Sequence, residues 1–590
     1  MTAHAPARES SRRRVVRWIL VVAAAVVVVA AVLFVRDALR ARDSFTAIME
    51  DLPAIQEALL DGDPERLDAL VAELQQHTAT ARASTDGPVW WVAGNFPVLG
   101  DNAAVLTLMA EVMDDVALDV LPPLAEARSS LADGVLQISG SRIDLEPIRQ
   151  AAAPLTAAYD AVVDADDRLQ DFDPTDLVSQ LAGPFDQAAA SMAELRTVVT
   201  TGRDLTTLLP PMLGDEGRRE YLVLAQSNAE LRATGGVPGA ILLISADDGL
   251  VTLERTATAS DIGPFSEPVL DLRPDDLAMY GEGLGRFIQD VTMTPQFPVG
   301  AHIAAEMWQQ SQGSPVDGVI AVDPVALSFL LDQIGPIEVD GATLDAGNVI
   351  DTLLSEVYLA NPDPADADAV FARVASAVVD AVFDGQTDAG DLLDAVTRAA
   401  DERRLLIWSA HAAEQALLSE GGAGGDFDAA TTAVGIFLND GTRSKMSYYL
   451  DTDVTLVSSE CTAAGRVDTI ELRLSSTLSS ELAPTLPSYV TGVDLPPDRL
   501  GTIRTNVSLH SAVGGQIVNI ARDGSVIGGD VSETDGRTIT VFTQDLAPQE
   551  SVTFRMDVIA ASGDVAGVME LWMTPSARSA GLHQYETATC

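Results

Sequence analysis

The sequence predicts a multidomain α+β protein with an N-terminal transmembrane helix, a helical bundle or stalk, a central α/β domain and a C-terminal antiparallel β-sandwich. Three patterns support this class: a long apolar run near the N-terminus, alternating strand-like and helical stretches in the middle, and a two-residue periodicity near the end. With 590 residues, 47% of them hydrophobic, the chain is long enough to bury several cores.

The first predicted element is a transmembrane anchor over residues 15–36, preceded by a cytoplasmic tail over residues 1–14. Trp18–Val35 is an uninterrupted apolar run of 18 residues, nearly enough to span a hydrocarbon core of about 30 Å. Arginines cluster before this run, so the positive-inside rule places the N-terminus in the cytoplasm. A cleaved signal peptide is the alternative, but Phe34–Asp37 offers no small-residue cleavage site, which favours a signal-anchor.

This topology predicts a single-pass protein of the cytoplasmic membrane with its bulk in the extracytoplasmic space.

The net charge of the chain excludes one class of partner. There are 36 Lys and Arg residues against 87 Asp and Glu residues, a formal net charge of −51. A surface of this sign repels phosphate backbones, so no nucleic acid is expected as a partner. The bias towards Arg and Ala, with Lys445 as the single lysine, is typical of a GC-rich genome such as that of an actinobacterium.

The next two predicted parts are an extracytoplasmic helical region over residues 37–205 and an α/β domain over residues 206–420. In the helical region, apolar residues recur at helical spacing among acidic ones, which predicts a bundle or stalk. In the α/β domain, strand-like runs alternate with helical stretches. The strand-like runs are Tyr221–Ala225, Ala240–Ser245 and Val316–Val322. The helical stretches are Ala301–Gln310, Pro324–Gln333, Ala346–Ala360, Ala365–Phe383 and a segment with Leu405, Leu406, Trp408 and Leu417.

The last predicted part is a β-sandwich over residues 426–590, joined to the α/β domain by a flexible glycine linker at Gly421–Gly425. Strict alternation of apolar and polar residues along Ile470–Leu474 and Val552–Val558 indicates half-buried strands of an antiparallel sheet. Asp523-Gly524 and Asp535-Gly536 are hairpin turn signals. About eight short strands are expected.

The most informative motif is the block Asn228–Gly239, which lies between two predicted strands. Arg232 offers a planar, permanently charged fork that suits phosphate or carboxylate, and Gly235-Gly236 would let backbone N–H groups approach an anion closely. These features favour an anion site. A structural loop is the alternative, in which Glu230 pairs with Arg232 or Asn228 caps a turn, and the sequence leaves both interpretations open.

Three charged residues of the same domain could converge on this loop, with Asp261 or Asp317 as metal-binding or orienting groups. The predicted ligand-binding set is Asn228, Glu230, Arg232, Gly235, Gly236, Asp261, Arg286 and Asp317. No catalytic residue is predicted, since the sequence has no G-x-S-x-G elbow, no H-E-x-x-H, no P-loop and no paired C-x-x-C. Whether the chain is an enzyme stays open at this point.

The two cysteines, Cys461 and Cys590, are too few for a disulfide scaffold and have no ligand cluster beside them that would make a zinc site. Outside the cytoplasm they could form one disulfide that ties the last residues to the C-terminal domain. Two free thiols are the alternative, because pairing cannot be read from spacing.

Several motifs resemble the bacterial family known as domain of unknown function 4012, a set of single-pass envelope proteins. These motifs are Pro97–Asn102, Asn228–Gly236, Phe297-Pro298, Val316–Pro324 and Gly335-Pro336. They cover most of residues 90–340. Related proteins usually carry Asp before the Phe-Pro pair, whereas this chain has Gln296. The resemblance implies an envelope protein associated with surface polysaccharide and brings no established reaction.

The layout is also distantly similar to the LytR-CpsA-Psr glycopolymer ligases, although the Arg-Ser-Asp-Thr signature of that family is missing. This likeness implies binding of a polyprenyl-pyrophosphate glycan or envelope polysaccharide, with Mg²⁺ as the accompanying metal and phosphotransfer as the reaction. Arg232 would then hold the anion. The second hypothesis is a non-catalytic scaffold or structural protein of a polysaccharide assembly or export system.

Overall fold

The computed structural model describes most of the chain beyond its N-terminus. The described residues are 29, 32–48, 51, 53–55, 57–58, 64–94, 100–131, 137–139, 141–361, 363–382, 389–463, 465–492, 499–561 and 567–590. The chain divides into two compact units, the first within Met1–Val135 and Glu146–Leu209, the second comprising Leu136–Leu145 and Pro210–Cys590. The structure is of mixed α/β type with several sheets.

The transmembrane helix in the predicted fold class is not supported, and the fold class is corrected accordingly. Among the described residues, no helix is both long and apolar enough to cross a bilayer. Most of the predicted anchor over residues 15–36 lies outside the described residues. The helix described at 32–48 carries Arg36, Asp37, Arg40 and further charges within successive turns, which disfavours burial in hydrocarbon.

The first unit is helical, as the apolar spacing predicts. Besides the turns at 32–48, its helices are Pro64–Thr85 (α1), Pro88–Gly94 (α2), Gly100–Asp115 (α3), Leu121–Ser130 (α4), Glu146–Gln170 (α5) and most of Ser179–Met212 (α6). A π-helical segment, Val116–Val120, joins α3 to α4. Val105 and Val112 pack against Val162 and Leu169 in one core, because these residues recur on the inner faces of α3 and α5.

The second unit begins with a seven-stranded sheet. Its strands are Gln137–Ser139 (β1), Arg142–Asp144 (β2), Arg219–Ser227 (β3), Val237–Asp247 (β4), Leu250–Ala257 (β5), Gly318–Val322 (β6) and Leu405–Ser409 (β9), in the order β1-β2-β5-β4-β3-β6-β9. A separate hairpin is formed by Ile337–Val339 (β7) and Ala342–Leu344 (β8). Strands β3 and β6 are parallel, with Tyr221 opposite Gly318 and Ala225 opposite Val322. The carboxyl ends of β3 and β6 therefore lie side by side.

Helices cover both faces of this sheet. They are Ala259–Ile262 (α7), Pro274–Tyr280 (α8), Phe297–Gln312 (α9), Pro324–Ile334 (α10), Val349–Asp351 (α11), Val357–Ala360 (α12), Pro364–Val382 (α13), Ala389–Asp401 (α14) and Ala412–Glu420 (α15). One face of the sheet packs on α9, whose Phe297 and Trp308 are fully buried. The predicted helix containing Leu405 and Trp408 is wrong in its first part, because these residues form β9 against β6.

The C-terminal strands form two further sheets. The first has the order β16-β17-β13-β10-β19-β20 and the second β11-β12-β18-β14-β15. The strands are Val434–Asp440 (β10), Leu450–Thr462 (β11), Gly465–Ser476 (β12), Ile503–His510 (β13), Gln516–Arg522 (β14), Ser525–Val526 (β15), Asp530–Thr534 (β16), Arg537–Leu546 (β17), Ser551–Ile559 (β18), Val568–Met573 (β19) and Leu582–Glu586 (β20), with a short helix Ser488–Thr491 (α16). Strands β10 and β19 are parallel, an exception to the predicted antiparallel arrangement.

The predicted alternation in these strands is present in the structure. Leu472 and Phe554 face each other across β12 and β18, and both are fully buried in a core that the two sheets share. The hairpin turns also lie where the sequence places them. Asp523 and Gly524 both have positive φ between β14 and β15, and the Asp535-Gly536 pair does the same between β16 and β17.

The structure corrects the expected glycine linker and decides between the two alternatives for the cysteines. The glycine segment Gly421–Gly425 is a hydrogen-bonded turn rather than a flexible linker, since the N–H of Ile407 donates to Ala423 and that of Phe297 donates to Gly425. Cys461 and Cys590 are joined by a disulfide, the first of the two alternatives that the sequence left open. The bridge ties the end of β11 to the C-terminus of the chain.

Candidate functional site

The loop between β3 and β4, residues 228–236, is buried at a junction rather than exposed as a binding site. It begins where β3 ends beside β6, and its Ala229 and Leu231 have no exposed surface. Both side chains belong to the apolar core of the C-terminal sheets. Backbone hydrogen bonds from Ser447 to Ala229 and from Asp440 to Leu231 fix the loop in this position. The loop therefore joins the central sheet to the C-terminal sheets.

Arg232 is occupied by protein groups. Its guanidinium lies 2.8 Å from the Glu230 carboxylate and 3.6 Å from that of Asp290, and its side chain is only 6% exposed. Lys445 pairs with the other oxygen of Glu230. Burial by itself would raise the pKa of Glu230, but the charges of Lys445 and Arg232 outweigh it and hold the pKa below its ordinary value. The structure thus has the Glu230–Arg232 pair that a structural loop requires.

The two glycines of this loop are required for close packing. A Cβ atom at Gly235 would clash with the Gln226 side chain, and one at Gly236 would clash with the backbone of Ser227. Gly235 also has a φ of +132°, which L side chains rarely adopt. Their backbone groups bond within the protein, as when the N–H of Gly235 donates to Arg232. The glycines allow the loop to fold back on β3.

Asn228 links the loop to a second buried ion pair. Its amide donates to Asp323 at 3.1 Å and to the carbonyl oxygen of Pro575 at 3.3 Å. Asp323 caps helix α10 through the N–H of Ala326 and pairs with Arg404 at 2.9 Å. Each carboxylate oxygen is therefore satisfied by protein donors, as burial requires.

Asp317 lies at the opposite end of the sheet from the loop. It precedes β6 and pairs with the start of β3, because its carboxylate accepts the N–H of Glu220 at 2.8 Å. Its other oxygen lies 3.0 Å from His411 and 3.3 Å from Arg219. The eight residues from Glu220 to Asn228 correspond to about 26 Å of extended strand. Asp317 cannot reach a ligand held by Arg232.

Asp261 and Arg286 also have local structural partners. Asp261 belongs to a capping box at the start of α7, where its carboxylate accepts the N–H and hydroxyl of Thr258. Arg286 donates to the carbonyl oxygen of Phe265 at 3.0 Å and lies 3.5 Å from Glu282. Among the predicted residues, only those of the loop itself are brought together.

These positions do not fit a pyrophosphate with its Mg²⁺. Arg232 is enclosed and already paired with carboxylates, and Asp261 and Asp317 have separate surroundings. Across the described ranges, no group of three or more His, Cys, Asp or Glu residues is arranged to hold a metal ion. We therefore derive no chemistry that involves a metal at this loop.

A cavity of about 200 Å³ lies on the sheet face opposite α9. Side chains alternate along β3: Leu222 and Leu224 are buried on the α9 side, whereas Val223 and Ala225 line the cavity and are half-buried. The remaining apolar lining comes from β4, β6, α10, α13 and the π-helical turn after α11. These residues are Gly239, Leu242, Ile244, Val322, Pro324, Leu327, Leu330, Leu353, Phe371, Val374, Ala375, Val378 and Val379.

The cavity is elongated and polar at one end. From Val223 to Ser227 it follows β3 for about 13 Å. Its polar lining residues are Gln226, Ser227 and Asp323, which all lie where β3 and β6 end. An apolar cavity of about 150 Å³ stays dry and takes up small hydrocarbons, so a larger one of the same character can hold an apolar ligand.

Sequence reasoning missed this cavity, although it located the elements that form it. Phe371, Val374, Ala375, Val378 and Val379 recur at helical spacing along α13, which predicts a helix with one buried face. The same stripe would result if the helix packed without a gap. The alternation of side chains along β3 can also be seen in the sequence. It does not show whether a face of the sheet is fully packed or lines a cavity.

Comparison with known families gives one match. Residues 216–358 match the model described as "Protein of unknown function (DUF4012)". The match covers β3 to β8, the loop at 228–236 and all of the cavity lining except the residues of α13. No curated protein is similar to the chain.

Proposed function

We propose a function from the cavity itself: the protein binds the apolar chain of a cell-envelope lipid. The family model that residues 216–358 match is one of unknown function. The observation that carries this proposal is the cavity of about 200 Å³ between the central sheet and helices α10 and α13. Its lining is apolar except at one end.

The shape of the cavity supports a hydrocarbon chain as the occupant. A volume of 200 Å³ spread along 13 Å of strand is narrow, and it is smaller than the roughly 300 Å³ at which pockets for drug-sized ligands begin. Phe371 and Val378 are only half-buried, so the cavity is accessible along α13. Burying each methylene group of a chain contributes about 0.8 kcal/mol.

The disulfide supports a location outside the cytoplasm. Cytoplasmic thiols are kept reduced, whereas disulfides persist in oxidising compartments. The Cys461–Cys590 bridge therefore favours the extracytoplasmic location that the sequence predicts for the bulk of the protein. Envelope lipids are the apolar chains available there. Phosphotransfer does not form part of this proposal, because the residues predicted for it have separate surroundings.

Dodecanol, dodecanoate and dodecyl phosphate share one apolar chain, and their binding is measured by equilibrium dialysis. Dodecanol is kept below its solubility limit, and the two anions are kept below their micelle concentrations. Wild-type protein should bind at least one of them saturably. Ala375→Phe adds a ring inside the cavity and should weaken this binding about tenfold, equivalent to about 1.4 kcal/mol or two displaced methylene groups.

The matched control is Ala369→Phe, the same substitution on the exposed face of the same helix, which should bind as wild type does. Circular dichroism should show that both variants are folded. Binding that Ala375→Phe leaves unchanged, or no binding of any dodecyl compound to wild type, would show that the proposal is wrong.

A scaffold function remains the second candidate, and the buried loop favours it. Leu231 packs in the core of the C-terminal sheets, so the central sheet and these sheets are held as one unit. A rigid body of this kind suits a structural protein. The dialysis experiment separates the two candidates, because a scaffold requires no occupant in the cavity.

A further inference from the structure

The polar end of the cavity carries the hydroxyl group of Ser227, which the hydroxyl of Tyr358 contacts from behind. Ser227, the last residue of β3, lines the cavity, and its Oγ lies 3.0 Å from the Oη of Tyr358. Both residues are buried, at 3% and 4% exposure. Tyr358 comes from α12, and its ring packs against Phe371 and Tyr489. The hydroxyl pair is therefore held in place by the surrounding core.

This pair retains hydrogen-bonding capacity. Each hydroxyl has one donor hydrogen and two acceptor lone pairs, and one hydrogen bond between them uses only a part of this. Burial raises the pKa of Tyr358, so the phenol stays protonated and can donate. A ligand hydroxyl in the cavity can therefore bond to the Ser227 hydroxyl, whose second partner is Tyr358.

The charged groups around this end are committed to one another. Arg404 pairs with Asp323 at 2.9 Å, with side-chain exposures of 3% and 1%. Arg232 and Lys445 both pair with Glu230. A phosphate or carboxylate head would need one of these cations to leave its buried partner, which is costly.

A carboxylate at the polar end also disfavours an anion. Asp323 lines this end of the cavity. A negatively charged head would be placed beside its carboxylate in a region of low dielectric, where repulsion is strong. An uncharged head avoids this repulsion.

We propose that the ligand of the cavity is a long-chain alcohol, whose hydroxyl binds Ser227 while its hydrocarbon tail lies along β3, and that Tyr358 holds the Ser227 hydroxyl in position. This inference rests on the proposed function, since it assigns the head group of a ligand whose chain fills the cavity. It also excludes phosphate esters as the preferred ligand.

The head-group preference is measured with the same three dodecyl compounds by equilibrium dialysis on the full-length protein. Dodecanol should bind at least about tenfold more tightly than dodecanoate or dodecyl phosphate. Ser227→Ala and Tyr358→Phe each remove one hydroxyl and should weaken dodecanol binding about three- to tenfold, the usual effect of losing one hydrogen bond. Neither change should alter the binding of the two anions.

The matched control is Ser245→Ala, which removes the hydroxyl of another buried serine on the central sheet that bonds to Glu254 and does not line the cavity. It should leave dodecanol affinity unchanged, and melting curves should show that all three variants are folded. Equal or tighter binding of dodecyl phosphate, or full dodecanol affinity in both Ser227→Ala and Tyr358→Phe, would overturn the alcohol assignment. Such results would still leave chain binding intact, whereas no binding of any dodecyl compound would refute the proposed function itself.

Discussion

Buried charges of the second unit are paired with residues that are distant in sequence. Arg232 lies two residues after Glu230, so that contact was predictable as one of two alternatives. Lys445, 215 residues away, completes the cluster, and Arg404 pairs with Asp323 from 81 residues away. No local pattern reveals such partners. A sequence can therefore suggest that an arginine binds an anion without showing that protein carboxylates already satisfy it.

His510 gives a pH-dependent prediction at this scale. Burial against Phe427 and Phe437, with the charge of Arg537 nearby, lowers its pKa to about 3. In the unfolded chain His510 has its ordinary pKa near 6.5. It therefore takes up a proton at pH values at which it stays neutral in the folded protein. Stability from a neutral His510 is thus complete above pH 6.5 and is lost progressively as the pH falls towards 3.

The measurement is urea denaturation of wild type and His510→Phe at pH 7 and pH 5. Between these values wild type should lose about 2 kcal/mol more of its free energy of unfolding than the variant, because the phenyl ring does not titrate. Carboxylates titrate in both proteins, so their contribution cancels in the comparison. Equal losses in the two proteins would contradict the buried, neutral histidine.

At the scale of elements, periodicity predicted most of the structure and failed where a short apolar segment was ambiguous. Strict alternation placed β12 and β18, and two Asp-Gly pairs placed the hairpin turns. The segment Leu405–Ser409 was predicted as helix because apolar residues continue into Leu417, yet it pairs with β6 at the edge of the sheet. Four apolar residues in a row do not distinguish a buried strand from a helical turn, and only the pairing partner decides.

The Asp523-Gly524 turn gives a prediction for one hairpin. Gly524 has a φ of +79°, and a Cβ atom there would meet no other atom, so strain arises only from the backbone. Gly524→Ala should therefore lower the free energy of unfolding by about 1 kcal/mol. Gly528→Ala is the control, since this glycine also faces open space but does not have the left-handed conformation. Equal urea midpoints for the two variants would argue against a left-handed turn.

At the scale of the whole molecule, the disulfide connects two points 129 residues apart. Closing so long a loop restricts the unfolded chain, and typical disulfides of this kind contribute about 2–4 kcal/mol. Cys461→Ser should lower the urea midpoint of the second unit accordingly. Dithiothreitol should lower that of wild type to the same value and leave the variant unchanged. A wild-type midpoint that is insensitive to reductant would contradict a stabilising bridge.

The contact between the loop at residues 228–236 and the C-terminal part of the chain can form only late in synthesis. The hydroxyl of Thr574 donates to Ala233, 341 residues earlier. At translation rates of about 5–20 residues per second, the loop waits about 17–70 s for its partner to be made. Throughout that interval Leu231 lacks the core that buries it in the finished protein. A chain truncated before β19 would therefore lack Met569, Leu571 and Met573, which belong to the core that buries Leu231.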